Sequence, residues 1–356
     1  MKGLTRTHGR YSLVLAVALS LVVACGQLGL GSAPQPKAES AADFFKGKTI
    51  SLVVPYGAGS TTDSGARIFA SSLEEVTGSS VVVTNKAGGG GLDAWNSVYA
   101  AKPDGLSLVF GVTGPVPMFQ MFEEPGVRYD TAKITWIGSF AWQPSALSIA
   151  AALPYKSMDD LRKSEGLIFG GSGKRAGPVL GAGLIIEFFE LKGAKIVHGY
   201  ASPAEIQLAM GRGEVQALIS TPGSVRDGVT KGFAKPPFVI LDFKRTDAFP
   251  DAPTLPEVLK LSSEQERILR VFASIVDQSR VVFATPGIPE DRVVFLRESF
   301  DKIMEKPDFL QQIQKFYTPW TGATKGKDLG VEMQKIMAVP KQEITKIDEI
   351  VNRYVK

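Results

Sequence analysis

A loop of small and hydroxylated residues follows an apolar stretch near the start of the chain: Val53-Val54-Pro55-Tyr56-Gly57-Ala58-Gly59-Ser60-Thr61-Thr62-Asp63. Its glycines let a ligand approach the backbone closely. Thr61 or Thr62 is a suitable N-cap for the helix predicted to follow. Unpaired backbone N–H groups and the positive end of the helix dipole would then face open space. This arrangement is typical of a binding site for a carboxylate or another anion.

The strand before this loop and the helix after it belong to a longer alternation. Apolar, β-branched runs predict strands over 50–55, 81–84, 106–112, 134–140, 167–170, 195–198, 215–220, 238–242 and 280–284. Helical patterns lie between most of them and after them, over 92–101, 158–164, 179–191, 204–212, 290–305, 308–316 and 325–352. The alternation predicts an α/β fold with largely parallel sheets.

Glycine- and serine-rich turns follow several of the predicted strands. They form one group early in the chain and another in its middle: 57–62, 86–91 and 111–115, and then 170–177 and 220–224. In parallel α/β sheets, ligands bind beyond the carboxyl ends of the strands. The two groups of turns therefore predict two lobes that face each other across a ligand cleft.

The first residues have the pattern of an export signal. A basic start precedes an apolar run that ends at Ala24-Cys25, in the form of a bacterial lipobox. We therefore predict a lipoprotein signal peptide over 1–24, with Cys25 as the lipidated residue. Residues 25–42 are rich in Gly, Ser, Pro and Ala and predict a flexible tether. The alternative is a plain signal peptide in which the cysteine is incidental.

Charge and cysteine content indicate which kinds of partner and which stabilising interactions can be expected. The sequence has 40 Lys and Arg residues against 36 Asp and Glu residues, a net charge of +4. Nothing in its charge pattern indicates a nucleic-acid surface, so no nucleic-acid partner is predicted. Cys25 is the only cysteine. An internal disulfide is therefore excluded, and stability must come from the hydrophobic core.

Motifs for catalysis are incomplete. The loop begins like a dinucleotide fingerprint, but Thr62 occupies the position of the third glycine. Gly173-Lys174 begins like a phosphate loop, but Arg175 replaces the Ser or Thr that would bind magnesium. His198 is the one histidine after the signal peptide, so neither a zinc site nor a hydrolase triad is indicated. We predict a binding protein without cofactor, metal or enzymatic activity. An extracytoplasmic hydrolase, or a ligand sensor on the same fold, is the alternative.

Three separated motifs resemble one family of receptors. They are Val53 to Asp63, then Val81-Val82-Val83-Thr84-Asn85-Lys86-Ala87-Gly88-Gly89-Gly90-Gly91, then Lys102-Pro103-Asp104-Gly105-Leu106-Ser107-Leu108. Their order and spacing resemble the solute receptors of tripartite tricarboxylate transporters, also called the Bug family. Family motifs have the forms V-P-[YF]-x-A-G-G-x-x-D, V-V-V-E-N-R-x-G-A-G-G and P-D-G-Y-T-L. The resemblance covers about 43–356.

The resemblance implies a type II periplasmic-binding-protein fold, with two α/β lobes, a ligand cleft and a hinge. Lobe 1 is then expected over 43–142 and 246–356, and lobe 2 over 143–245. It also implies capture of a small carboxylated solute and delivery to the membrane subunits of a tripartite carrier. With the lipid anchor, the expected location is the periplasm or the outer face of the cytoplasmic membrane.

The resemblance also implies which residues bind the ligand. The loop from Tyr56 to Asp63 would hold one carboxylate, and the turn from Gly171 to Lys174 would contact the ligand from the other lobe. The full set of expected ligand-binding residues is Tyr56, Gly57, Ala58, Gly59, Ser60, Thr61, Thr62, Asp63, Thr113, Gly171, Ser172, Gly173, Lys174 and Thr221.

The roles of four residues at the expected site stay open. Ser60 replaces a family glycine and adds a hydroxyl group at the anion site. Asp63 is expected to face the first-turn N–H groups of its own helix or to receive a donor group of the ligand. Lys174 and Arg175 are interpreted either as a solvated surface pair or as partners for a second anionic group.

Overall fold

The structure is a computed structural model that describes residues 39–200, 202–276, 279–317 and 321–356. The predicted signal peptide, Cys25 and most of the predicted tether lie outside these residues. Within the described ranges, no helix combines the length and the apolar character needed to cross a membrane.

Strands and helices alternate along the described chain. The strands are β1 (Thr49–Val54), β2 (Ser80–Asn85), β3 (Ser107–Val112), β4 (Thr135–Phe140), β5 (Ala146–Ile149), β6 (Ile168–Gly171), β7 (Lys195–His198), β8 (Ala217–Ser220), β9 (Val239–Ile240), β10 (Arg280–Ala284) and β11 (Ala323–Lys325). The helices are α1 (Ala41–Phe45), α2 (Thr61–Thr77), α3 (Leu92–Tyr99), α4 (Pro115–Met121), α5 (Met158–Arg162), α6 (Gly177–Phe188), α7 (Pro203–Gly211), α8 (Pro222–Thr230), α9 (Leu255–Val258), α10 (Ser263–Ile275), α11 (Glu290–Glu305), α12 (Pro307–Ile313), α13 (Gly326–Met337) and α14 (Lys341–Tyr354).

The described strands form two sheets, which confirms the α/β prediction. Sheet A has the strand order β11-β4-β10-β3-β1-β2, and sheet B has the order β7-β6-β8-β5-β9. In sheet A, β1 is parallel to β2 and β3, whereas β10 is antiparallel to β3 and β4. In sheet B, β6 is parallel to β7 and β8, and β5 is antiparallel to β8 and β9. Each sheet is therefore mixed, with three parallel strands at one end of the sheet whose carboxyl ends share one edge: β3-β1-β2 in sheet A and β7-β6-β8 in sheet B.

Sheet A packs against α2 and α11 through a core rich in phenylalanine. Phe69 from α2 lies near Phe110 of β3 and Phe300 of α11, with ring centroids 5.6 and 6.1 Å apart. All three rings are buried. Burying such a side chain contributes about 1.5–3 kcal/mol. This packing fixes the position of α2, and therefore of the loop that precedes it.

The C-terminal part of the chain departs from the predicted single helix over 325–352. Pro340 separates α13 from α14, because proline lacks the N–H needed inside a helix. Helix α14 packs against α6, which covers sheet B, and against α10. Val355, just beyond α14, forms a parallel bridge with Ile196 of β7. The predicted lobe boundaries at 142/143 and 245/246 stay a prediction.

Candidate ligand-binding site

Ser60, and neither Thr61 nor Thr62, is the N-cap of α2. Its backbone is extended, and its hydroxyl oxygen accepts a hydrogen bond from the N–H of Asp63 at 3.2 Å. The helix therefore begins at Thr61, and both threonines lie in its first turn. The prediction that one of the threonines caps the helix is wrong, because the serine hydroxyl reaches the N–H three residues ahead.

The backbone N–H groups of the predicted anion site are of two kinds: some already form hydrogen bonds within the protein, and others have no acceptor within the described chain. The N–H of Gly59 donates to the Asp63 carboxylate at 2.9 Å, and the N–H of Ser60 donates to the carbonyl oxygen of Gly57 at 3.3 Å. No described residue accepts a hydrogen bond from the N–H of Thr61 or Thr62. The first turn of α2 therefore presents two N–H donors without an acceptor among the described residues, at the positive end of the helix dipole.

Asp63 is buried, and its carboxylate accepts hydrogen bonds from neighbouring groups of the protein. Besides the N–H of Gly59, its carboxylate accepts from Arg67 Nη2 at 3.0 Å and from Asn85 Nδ2 at 3.0 Å. Burial alone would raise the pKa of Asp63, but these hydrogen bonds hold it below its ordinary value. The expectation that Asp63 faces N–H groups of its own helix is wrong. The carboxylate instead joins the preceding loop to α2 and β2.

Tyr56 is a half-buried phenol at the start of the loop. Its carbonyl oxygen accepts a hydrogen bond from Asn85 Nδ2 at 3.0 Å. Burial raises the pKa of Tyr56 to about 12, and the positive charge of Arg280 offsets part of that rise. The phenol is therefore neutral near pH 7 and can both donate and accept a hydrogen bond.

Arg280 lies at the same edge of sheet A and was not predicted as a site residue. It is the first residue of β10, opposite Val112 at the end of β3, and is 7% exposed. Its Cζ atom lies 4.6 Å from the ring centroid of Tyr317, and the Tyr317 hydroxyl donates to the carbonyl oxygen of Thr61 at 2.7 Å. The sequence signal was an arginine at the head of the apolar run Arg280-Val281-Val282-Phe283-Ala284.

Two other predicted site residues have their hydrogen-bonding groups engaged within the protein. The N–H and the hydroxyl group of Thr113 both donate to the carbonyl oxygen of Ser279, at 3.0 and 3.1 Å. Thr221 is the N-cap of α8, and its hydroxyl oxygen accepts from the N–H of Ser224 at 3.4 Å. Both residues lie at the carboxyl ends of strands, where they position the segments that follow.

The predicted turn after β6 lines a cavity of about 560 Å³. Cavities that hold small ligands measure roughly 300–1,000 Å³. The lining consists of Gly89, Gly90, Phe119, Glu124, Ser172, Gly173, Lys174, Arg175 and Ala176. The first four follow strands of sheet A and the others follow β6 of sheet B, so segments from both sheets line the cavity. None of its lining residues comes from the loop 56–63, from Thr113 or from Thr221.

Lys174 and Arg175 differ in their environments. Arg175 donates to Asp348 Oδ1 at 3.3 Å, to Glu124 Oε2 at 3.4 Å and to the carbonyl oxygen of Phe122 at 3.2 Å. The expectation that Arg175 binds a second anionic group is therefore not supported, because Arg175 already pairs with two carboxylates. Lys174 is exposed, and among the described residues it has no ion-pair partner.

Neither a histidine paired with a hydroxyl group nor a cluster of metal ligands is found among the described residues. His198 is exposed at the end of β7, and no hydrogen bond joins it to a hydroxyl group of any described residue. Within the same residues, no group of three or more His, Cys, Asp and Glu side chains has the arrangement needed to hold a metal ion.

Solved structures share this fold. MatC of Rhodopseudomonas palustris with bound malate matches with a TM-score of 0.63 and 21% identity, over 85% of this chain and 99% of MatC. Another R. palustris protein, solved with adipate, matches with a TM-score of 0.65 and 21% identity, over 86% of this chain and 97% of that one. The type II periplasmic-binding-protein fold, with its two lobes, is thereby confirmed.

Sequence comparison identifies the family. The "UPF0065 protein in gbd 5'region" of Cupriavidus necator is 26% identical over 310 residues, which cover 83% of this chain and 86% of that protein. The family model described as tripartite tricarboxylate transporter family receptor matches residues 66–329. The matched range begins just after the loop 56–63. This chain belongs to the family of tripartite tricarboxylate transporter receptors.

Proposed function

We propose that this protein is a lipid-anchored, extracytoplasmic receptor. It captures a small carboxylated solute and delivers it to the membrane subunits of a tripartite carrier. Family membership supports a solute receptor. The export-signal pattern that ends at Cys25 supports the location and the anchor. The malate and adipate in the two structural relatives support a carboxylate as the ligand class.

The proposal that the ligand is a carboxylate rests mainly on one observation. The N–H groups of Thr61 and Thr62 have no acceptor among the described residues, and they lie at the positive end of a helix that spans Thr61–Thr77. Such an end stabilises an anion by about 0.3–1 kcal/mol when exposed. Each hydrogen bond to a charged group adds about 1.5–3 kcal/mol. A carboxylate oxygen bound at this turn would satisfy both donors.

Substitution of Thr61 tests this site directly. Proline is well accepted at the first position of a helix, and Ser60 already has the extended backbone that a following proline requires. Thr61→Pro therefore removes one N–H donor and leaves the helix in place. Thr61→Val is the matched control, because it removes the hydroxyl group and keeps the N–H.

We expect calorimetric titration with succinate, malate and adipate to show binding by the wild-type protein and by Thr61→Val. Thr61→Pro should bind the same acid about tenfold more weakly or worse, which corresponds to the loss of one charge-assisted hydrogen bond. Equal affinities of the proline and valine variants would contradict the proposed site. Absence of binding to a broader carboxylate panel, with binding to uncharged amides, would contradict the proposed ligand class.

A further inference from the structure

A short link joins the two sheets at the edges where their parallel strands end. Phe140, the last residue of β4, lies opposite the first residue of β10, which is antiparallel to both β3 and β4. Strands β3 and β4 therefore end at the same edge of sheet A. Beyond the link, Ala146 begins β5 and lies opposite Ser220, the last residue of β8. Residues 141–145 thus run between the carboxyl edges of the two sheets, where ligands of α/β proteins bind.

Backbone hydrogen bonds hold this link at both of its ends. The N–H of Ala141 donates to the carbonyl oxygen of Gly322 at 3.1 Å, and the N–H of Leu241 donates to the carbonyl oxygen of Ser145 at 2.8 Å. Gln143 is the central residue, three positions from each of the two strands. Because three residues span at most about 11 Å, Gln143 lies within that distance of both sheet edges.

The strand that leads into the link is connected to the first turn of α2. The rings of Phe140 and Tyr317 have centroids 6.1 Å apart. The hydroxyl of Tyr317 donates to the carbonyl oxygen of Thr61 at 2.7 Å. A solute held by the N–H groups of Thr61 and Thr62 is therefore separated from the end of β4 by a single aromatic side chain.

The side-chain amide of Gln143 is largely enclosed by the protein but has no partner in it. The residue is 7% exposed. None of the described residues forms a hydrogen bond with its amide, and the amide atoms are not among the fully enclosed polar atoms that lack a partner. The small exposed part of Gln143 therefore includes the amide, which a solute in the cleft can reach.

The chemistry of this position favours an anionic partner. Burial of an amide without a hydrogen bond is unfavourable, so a ligand that supplies the missing acceptor gains more than it would at a solvated amide. The amide nitrogen offers two N–H donors, and a carboxylate accepts stronger hydrogen bonds than a neutral oxygen does. Lys244 adds a positive charge beside the link, since its Nζ atom lies 5.6 Å from the ring centroid of Trp142.

We propose that the amide of Gln143 binds a second carboxylate of the solute, while the N–H groups of Thr61 and Thr62 bind the first. The inference rests on the proposed function and adds to it a residue that determines specificity. A solute with one carboxylate satisfies only the first turn of α2. A solute with two satisfies the amide as well, so Gln143 selects diacids over monoacids.

The test separates binding from stability by means of two buried glutamines. Gln143→Met keeps the length of the side chain and removes the amide that has no partner among the described residues. Gln207→Met is the matched control, because Gln207 is 2% exposed and its Nε2 donates to the carbonyl oxygen of Ser224 at 2.7 Å. The probes are succinate and adipate, with butyrate and hexanoate as monoacids of the same chain length. Each acid is titrated calorimetrically into the full-length protein.

We expect Gln143→Met to weaken binding of the preferred diacid by about tenfold or more, in line with the loss of a charge-assisted hydrogen bond. Binding of the matching monoacid should change little, because a methyl group replaces its second carboxylate. Without ligand, the thermal midpoint of Gln143→Met should equal or exceed that of the wild type, since no hydrogen bond is lost. Gln207→Met should do the opposite, with a midpoint lower by about 2–4 °C and an unchanged diacid affinity.

Other results would overturn the inference. If Gln143→Met keeps the diacid affinity of the wild type, or loses diacid and monoacid affinity equally, Gln143 does not bind the second carboxylate. If Gln143→Met fails to fold or unfolds at a lower temperature than the wild type, the amide has a structural role and the inference is wrong. Wild-type protein that binds none of the acids contradicts the proposed ligand class, and the role of Gln143 with it.

Discussion

The backbone N–H of Gly59 donates a hydrogen bond to the Asp63 carboxylate, 2.9 Å away. Gly59 has φ of 78°, a left-handed backbone that glycine adopts without strain. The loop before α2 is therefore closed by a contact with the first turn of the helix itself. The N–H of Gly59, predicted from the sequence as a donor to the ligand, therefore stabilises the loop instead. The N–H groups of Thr61 and Thr62 have no acceptor among the described residues.

Replacement of Asp63 by asparagine should lower the stability of the protein. Asp63→Asn removes the charged acceptor of Arg67 and of the Gly59 N–H, so we expect the free energy of unfolding to fall by about 1–3 kcal/mol. Urea unfolding measures this change. Asp159→Asn is the control, because the Asp159 side chain is 84% exposed and lies 4.0 Å from its partner Arg162. An equal effect of both substitutions would show that the Asp63 network contributes nothing specific.

The same network predicts a pH dependence of stability. The folded state holds the pKa of Asp63 below its ordinary value of 3.8. The contribution of Asp63 is therefore fully present above that ordinary value and is lost as pH falls through the lower pKa of the folded state. In urea unfolding at a series of acidic pH values, the stability difference between wild type and Asp63→Asn should shrink below about pH 4. A difference that stays constant down to pH 2 would refute this dependence.

Gly65 should not tolerate a side chain, although it lies within a helix. A Cβ atom at this position would lie 2.6 Å from the hydroxyl oxygen of Tyr317. We expect Gly65→Ala to destabilise the protein by about 1–3 kcal/mol through overpacking. Gly223→Ala, in helix α8 with no atom within 4 Å of the new Cβ, should instead stabilise it by about 0.5–1 kcal/mol. Thermal unfolding of both variants gives the comparison, and a stabilised Gly65→Ala would contradict the packing of Tyr317 on α2.

We expect Arg175 to stabilise a conformation in which the two predicted lobes lie close together. It joins the turn after β6 to Glu124, which follows α4, and to Asp348 of α14. Because exposed ion pairs contribute little, Arg175→Gln should change the free energy of unfolding by about 1 kcal/mol or less. We expect a larger radius of gyration without ligand in small-angle scattering, and an affinity reduced by up to about fivefold. Arg212→Gln, which disrupts a pair with Glu214 two residues away, should change neither quantity.

Cys25→Ala should release the protein from the membrane. Lipidation requires the cysteine thiol, and no described helix offers another means of spanning a bilayer. After cell fractionation, the wild-type protein should be found with membranes and the variant in the soluble extracytoplasmic fraction. Membrane association of the variant at the wild-type level would disprove the lipid anchor.

Local patterns predicted most strands and several helices, because a hydrophobic period is a property of neighbouring residues. The strands over 195–198 and 280–284 and the helix over 290–305 have the predicted bounds. Ser60 was missed as the N-cap because three hydroxylated residues in a row are all suitable caps, and the choice depends on the contact between Gly59 and Asp63. The short strands β5 and β11 carry too few residues to show a period.

Contacts between distant residues account for the remaining differences at the site. Arg175 pairs with Asp348, 173 positions later, and Tyr317 bonds to Thr61, 256 positions earlier. Neither contact produces a pattern of residue spacing from which it could be predicted. Arg280 belongs to the same category, since its place beside β3 depends on a strand that returns to sheet A after the whole of sheet B.

The bridge between Val355 and Ile196 has a practical consequence for handling the protein. It places Val355 along β7, an outer strand of sheet B whose backbone groups would otherwise be open to pairing with another molecule. The N–H of Lys356 donates to the carbonyl oxygen of Ile196. Deletion of the last two residues would uncover that strand and favour aggregation, and an affinity tag fused after Lys356 would begin directly on it. A tag placed between Cys25 and helix α1 avoids both effects.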